Sequence, residues 1–205
     1  LGDKPLDTKK TTLTAGAFHH VAYVFDSDRQ EFWFDGRLAV SSSDGAKLPG
    51  GNGLSVGRSF DTDKSRMSDG LSCLIDDLRI HREPMTVFPG LTESPARATD
   101  PPTPPMGLLV DLDFDRGTTA GGTSIPDGAG AGFPIQCRMC DRTDGPRSPL
   151  VPGDRRSLEF WFDRNAKTGT QVRVMPYYPG DLLQGTAEIV FKVYPPAEDY
   201  QVNAC

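Results

Sequence analysis

His19 and His20 stand side by side among aromatic and acidic residues, and an adjacent imidazole pair is an obvious starting point for metal binding or general base chemistry. They open a β-rich run at 20–25, however, where successive side chains point to opposite faces, so the two rings cannot converge on one atom. The expectation is one imidazole hydrogen-bonded in the core and the other at the surface. A Ser-His-Asp arrangement would also need an activated nucleophile. Cys137-Arg138-Met139-Cys140 has the spacing of half a zinc site or of a redox pair. A structural zinc needs four ligands, and no second such pair follows. A redox pair opens a helix after a strand, whereas this one sits among Gly, Pro and Asp. Disulfide bonding is the better reading for an extracellular chain, and Cys73, Cys137, Cys140 and Cys205 make an even count. Trp33 and Trp161 each occur in Phe-Trp-Phe-Asp. On a strand the flanking Phe residues share one face and the Trp takes the other, so each Trp is either sandwich packing or an aromatic platform for a sugar ring.

The elements that must hold these residues are strands. Runs at 20–25, 31–34, 38–40, 54–56 and 71–80 are separated by turn signals, of which Asp35-Gly36 suits the positive φ of a tight hairpin turn. Strand signals restart at 108–115, 157–162, 171–174 and 186–194, where Ala187, Ile189, Phe191 and Val193 alternate with Glu188, Val190, Lys192 and Tyr194. This spacing predicts an all-β, antiparallel β-sandwich.

Between the two groups, 91–105 is rich in Ser, Thr and Pro and ends Pro101-Pro102-Thr103-Pro104-Pro105. It reads as a linker and as the stretch best suited to O-linked sugars. Residues 1–90 and 106–205 then form two units. The 22 Gly and 18 Pro in 205 residues disfavour long helices, while 37 % apolar residues are enough for a core. A net charge of −6 without a basic stripe disfavours nucleic acid as a partner. No window is apolar over the eighteen or so residues that a membrane-spanning helix needs.

Four segments carry a resemblance. LTAGAFHHVAYVFD (13–26), EFWFDGRLAV (31–40), LSVGRSF (54–60) and GLSCLIDDLRIHREPMT (70–86) resemble, in order and spacing, the C-terminal half of the laminin G-like, concanavalin A-type jelly-roll family. There a His-His-Val-Ala strand leads to one ending Val-Asp-Gly, then Leu-x-Ile-Gly, and finally Ile-Asp-Asp-Val-Arg-Ile. LLVDLDFDRG (108–117), IPDGAGAG (125–132) and 157–196 more faintly resemble the same family's N-terminal portion. The family order is therefore inverted. The expectation is the end of one sandwich, a linker and the beginning of a second, each completed by other sequence or another chain. The alternative is a circular permutant in which 106–205 complements 1–90.

The resemblance implies a jelly roll that recognises ligands and is not an enzyme. The Glu-x-Asp-x-x-Glu strand of the glycosidases sharing this fold is absent, since Glu31 and Asp35, or Glu159 and Asp163, lack a second Glu in register. Calcium is the cofactor it allows, with Asp113, Asp115 and Asp127 as ligands together with one of Asp76 and Asp77, which face opposite ways on a strand. The function expected is that of an extracellular or cell-surface structural and adhesion protein binding neighbouring subunits or glycans. The alternative is the lectin-like, carbohydrate-binding module of a secreted sialidase or glycanase.

Overall fold

Side chains that alternate between apolar and polar, punctuated by turn residues, build the described part of the molecule from strands. The computed structural model describes residues 12–47, 54–56, 73–88, 107–112, 114, 125, 127–129, 135–138, 157–160, 162–163, 168–169, 171–174 and 181–193. The described strands are β1 (Phe18–Phe25), β2 (Gln30–Phe34), β3 (Arg37–Ser42), β4 (Leu54–Val56), β5 (Cys73–His81), β6 (Leu108–Leu112), β7 (Ile135–Arg138), β8 (Leu158–Phe160), β9 (Phe162–Asp163), β10 (Thr168–Gly169), β11 (Gln171–Val174) and β12 (Gly185–Val193). No helix occurs among the described residues.

A large sheet runs β3-β2-β1-β12-β5-β6, with β8 also paired to β5, and a smaller one runs β4-β11-β7. A short β9-β10 ladder stands apart. All pairs are antiparallel. The β2-β3 turn is the Asp35-Gly36 hairpin expected from sequence, with φ of 47° and 72°. Both central residues of such a two-residue turn need positive φ, which Asp tolerates and Gly adopts freely.

The two sheets meet over one core. Val21, Phe25, Phe32, Ile80, Leu112 and Phe160 of the large sheet pack with Ile135 and Val172 of the small one. Burying each Leu or Phe contributes about 1.5–3 kcal/mol. β5 explains how a strand with consecutive acids joins that core. Its core residues are Cys73 and Ile75, then Leu78 and Ile80, a pattern that changes phase midway. A bulge restores the phase: Val190 pairs with Asp77 and Phe191 with Ile75, so the register passes over Asp76. Beyond the bulge, Asp77, Arg79 and His81 share the outer face of the sheet.

Among the described residues, every hydrogen-bonded neighbour of β5 lies beyond residue 106, namely β12, β6 and β8. Both neighbours of β12, β1 and β5, lie before residue 82. These ladders pair strands of 106–205 with strands of 1–90, the arrangement in which the second part complements the first. The apolar edge of β5 would stand open without β12, and the two halves close it for one another. Residues 91–105 lie outside the described residues. Sequence reading found the long strands but not β7 or the β9-β10 ladder, which are short and sit beside Gly, Pro and charged residues.

Candidate functional site

Parity along the strands puts His20, Ala22 and Val24 of β1 on the outer face of the large sheet, opposite Val190, Glu188 and Thr186 of β12. Thr186 and Glu188 in turn oppose His81 and Arg79 of β5, and Arg79 opposes Asp111 of β6. One carboxylate gathers the polar groups. Glu188 Oε2 lies 3.0 Å from His20 Nε2, and its Oε1 lies 2.9 Å from His81 Nε2. Arg79 continues the network, with Nη2 2.6 Å from Asp77 Oδ2 and Nε donating to Asp111 Oδ1 at 3.1 Å.

Burial alone would push the Glu188 carboxyl up, but its hydrogen bonds to His20 and His81 and the charge of Arg79 outweigh burial and hold it at about 2. Burial likewise works against the Arg79 charge, and Asp77, Asp111 and Glu188 together outweigh it and raise its pKa. Both oxygens of Glu188 are thus engaged, and it stays an anion. Such a group fastens β12 to β1 and β5; it is neither a proton donor at neutral pH nor an unencumbered nucleophile.

The segment after β5 crosses this face as a strap. Thr186 Oγ1 accepts the Met85 N–H at 2.7 Å and donates to the Glu83 carbonyl at 2.8 Å. Phe88 then packs with Ala22 and Val24, its ring 4.9 Å from the His20 ring and 5.5 Å, edge-on, from that of Trp33. Trp33 Nε1 donates to Glu31 Oε2 at 3.0 Å, and Arg29 donates to Glu31 Oε1 at 3.0 Å and to Asp26 Oδ2 at 3.1 Å. Asp26 also accepts the backbone N–H groups of Asp28 and Arg29. The Asp28 N–H foremost, opposed by burial and reinforced by Arg29, lowers the Asp26 pKa.

His19 points the other way. Its Nδ1 is 2.9 Å from Asp35 Oδ2, its ring stacks on Phe34 at 4.9 Å, and Asp35 Oδ1 accepts the His20 N–H at 2.9 Å. The two imidazoles diverge as the strand geometry requires, but the expected surface imidazole is a correction. His19 is 6 % and His20 1 % exposed, because the hairpin covers one and the strap covers the other.

The remaining sequence candidates separate. Trp33 is partly buried in the strap cluster, and Trp161 lies outside the described residues. Asp77 is held by Arg79, which makes it a poor cation ligand. Asp127 spends Oδ1 on the N–H groups of Asp111 and Ala129, at 2.9 and 3.0 Å, while Oδ2 is buried with no hydrogen-bond partner among the described residues. Asp113 and Asp115 lie outside the described residues. No group of three or more His, Cys, Asp or Glu among the described residues is arranged to hold a metal. Cys73 is a free thiol, wholly buried in the core, and burial pushes its pKa up. This departs from the expected disulfide at Cys73, whose side chain the strand alternation turns inward. Cys140 and Cys205 lie outside the described residues, as does the side chain of Cys137.

Sequence reading missed His81, Arg79 and Glu188. The available signal was a charged residue, Glu188, between the apolar Ala187 and Ile189 on a strand, which a pairing across the sheet had to neutralise.

No helix among the described residues is long and apolar enough to cross a membrane. No curated protein matches the chain. The echo at 106–196 lies outside residues 4–87, which a family model matches. Residues 4–87 match the laminin G-type model of the Concanavalin A-like lectin/glucanases superfamily, the family that the segments at 13–26, 31–40, 54–60 and 70–86 resemble.

Proposed function

We propose that this chain is a non-enzymatic recognition and assembly module of an extracellular or cell-surface protein, taking neighbouring subunits or glycans as ligands. The observation that carries this reading is β3. Among the described residues it has one sheet neighbour, β2, and its residues Arg37, Leu38 and Ala39 are exposed, Leu38 to 48 %. An edge with unpaired backbone groups is a template for another strand. The charged groups on the outer face support the same reading, because they are spent on each other. Glycans are the second reading, favoured by Trp33, whose ring stands at the rim of the strap beside the Arg29-Glu31 pair.

A glycan array combined with light scattering tests the proposal. Concentration-dependent assembly with no sugar bound supports subunit recognition. Sugar binding that is lost in Trp33→Ala supports the lectin-like module. A chain that stays monomeric and binds no sugar removes both. Calcium enters as an organiser of the rim through Asp113, Asp115 and Asp127, without Asp77. A rise in Tm at millimolar calcium supports it, and an unchanged Tm removes it.

A further inference from the structure

Under the strap, one imidazole is satisfied on one side only. Glu188 is an anion, and its two oxygens lie 3.0 and 2.9 Å from Nε2 of His20 and of His81. A carboxylate only accepts, so each Nε2 carries the hydrogen and each neutral ring leaves its Nδ1 bare. His20 Nδ1 is buried and has no hydrogen-bond partner among the described residues. A proton arriving there would make a buried N–H without an acceptor.

What stands between that nitrogen and water is the strap. His20 lies on the outer face of the large sheet yet is 1 % exposed, because Phe88 packs on its ring at 4.9 Å. Thr186 Oγ1 anchors the strap at the Glu83 carbonyl and the Met85 N–H. Phe88 comes three residues after that anchor and packs with Ala22, Val24 and Trp33. It can swing outward while the anchor holds.

The charged and titratable groups around His20 come from every neighbouring element. β12 supplies Glu188, and β5 supplies His81 and Arg79 on the far side of it. Asp35 takes the His20 backbone N–H, and Glu31 of β2 holds the Trp33 indole. The strap brings Glu83, whose side-chain end lies beside Gly107. Glu188 is therefore already placed to pair with an imidazolium at His20; the closed strap withholds only an acceptor for the new N–H.

We propose that the strap is an acid-operated lid: a proton on His20 Nδ1 is accommodated by moving Phe88 off the ring, which lets water reach that nitrogen and uncovers Trp33. Opening takes up one proton, so falling pH favours it, and the open-to-closed ratio changes by at most about tenfold per pH unit. The window is that of imidazole, between about pH 8 and 5, well above the value of about 2 at which Glu188 itself takes a proton. The lid goes beyond the recognition reading and needs no ligand. Trp33 is also the ring that the glycan reading uses, so the same motion governs access to it.

Tryptophan emission and acrylamide quenching of the full chain from pH 8 to 5, with far-UV circular dichroism alongside, test the lid. The Trp33 contribution is the difference between the parent and Trp33→Phe. It should shift to the red and become severalfold more quenchable toward pH 5, with the β signal unchanged. His20→Gln keeps a donor for Glu188 but has no second nitrogen to protonate, so its emission should stay flat across the range. Phe88→Ala is open from the start and should be red-shifted at both ends, which keeps the test valid where His20→Gln fails to fold. A flat parent, a shift that accompanies loss of the β signal, or a pH-dependent shift that persists in His20→Gln or in Phe88→Ala overturns the lid. None of these outcomes depends on a sugar, so the lid and the glycan reading fail separately.

Discussion

Glu188 Oε2 and His20 Nε2 lie 3.0 Å apart across 168 positions of sequence. This contact ties β12 to β1, and with His81 on the other oxygen it places one anion at the centre of the large sheet.

Acid should therefore weaken the fold in a particular window. The Glu188 carboxyl falls from an ordinary 4.5 to about 2 in the folded chain, so its contribution is full above about 4.5 and is lost as pH falls toward 2. The difference is on the order of 3 kcal/mol. Urea unfolding between pH 5 and 2 should show this decline. Glu188→Gln should flatten it and cost about 3 kcal/mol at pH 7, since it removes the buried carboxylate that His20 and His81 both contact. An unchanged acid limb in the variant would place the titrating group elsewhere.

The strap should be worth as much. Phe88 is 4 % exposed and touches His20 and Trp33, so Phe88→Ala should cost about 3 kcal/mol. It should also shift tryptophan emission to the red as Trp33 meets water, and Trp33→Phe in the same background should remove that change. Unaltered emission would detach Trp33 from the strap.

At the hairpin, Asp35 has φ of 47° and takes hydrogen bonds from His19 and from the His20 N–H. Asp35→Ala should cost about 2 kcal/mol, through lost hydrogen bonds and a strained backbone. Asn tolerates that φ and keeps the acceptor, so Asp35→Asn should cost less than half as much. Equal losses by thermal melting would show that charge, and not conformation, dominates.

Cys73 should resist thiol reagents in the native state and react upon unfolding, because it is buried with its pKa raised. Native-state labelling of a peptide containing Cys73, read by mass spectrometry, would contradict that placement.

The sequence made the strands legible where alternation is long and a turn is well marked, as at Asp35-Gly36 and along 186–193. It did not reveal their neighbours. Alternation fixes which face a side chain takes, but not which strand lies alongside, and the family order of the segments suggested completion from outside the chain. The bulge at Asp76 also hid the outer face: strict alternation through 71–80 put Asp76 and Asp77 on opposite faces and gave no reason to join Asp77, Arg79 and His81. Half of the candidate site was visible as the His19-His20 pair. The other half, Glu188 and His81, depends on pairing across more than a hundred residues, which periodicity does not carry.

The claim underlying all of this is that the segments before and after the Pro-rich stretch share one sheet. A protease site placed within 91–105 and cut in the folded chain tests it, with the products run on gel filtration and followed by circular dichroism. The two pieces should elute together with their β signal intact, held by the β1-β12 and β12-β5 ladders. Separation into two pieces without denaturant would contradict the account.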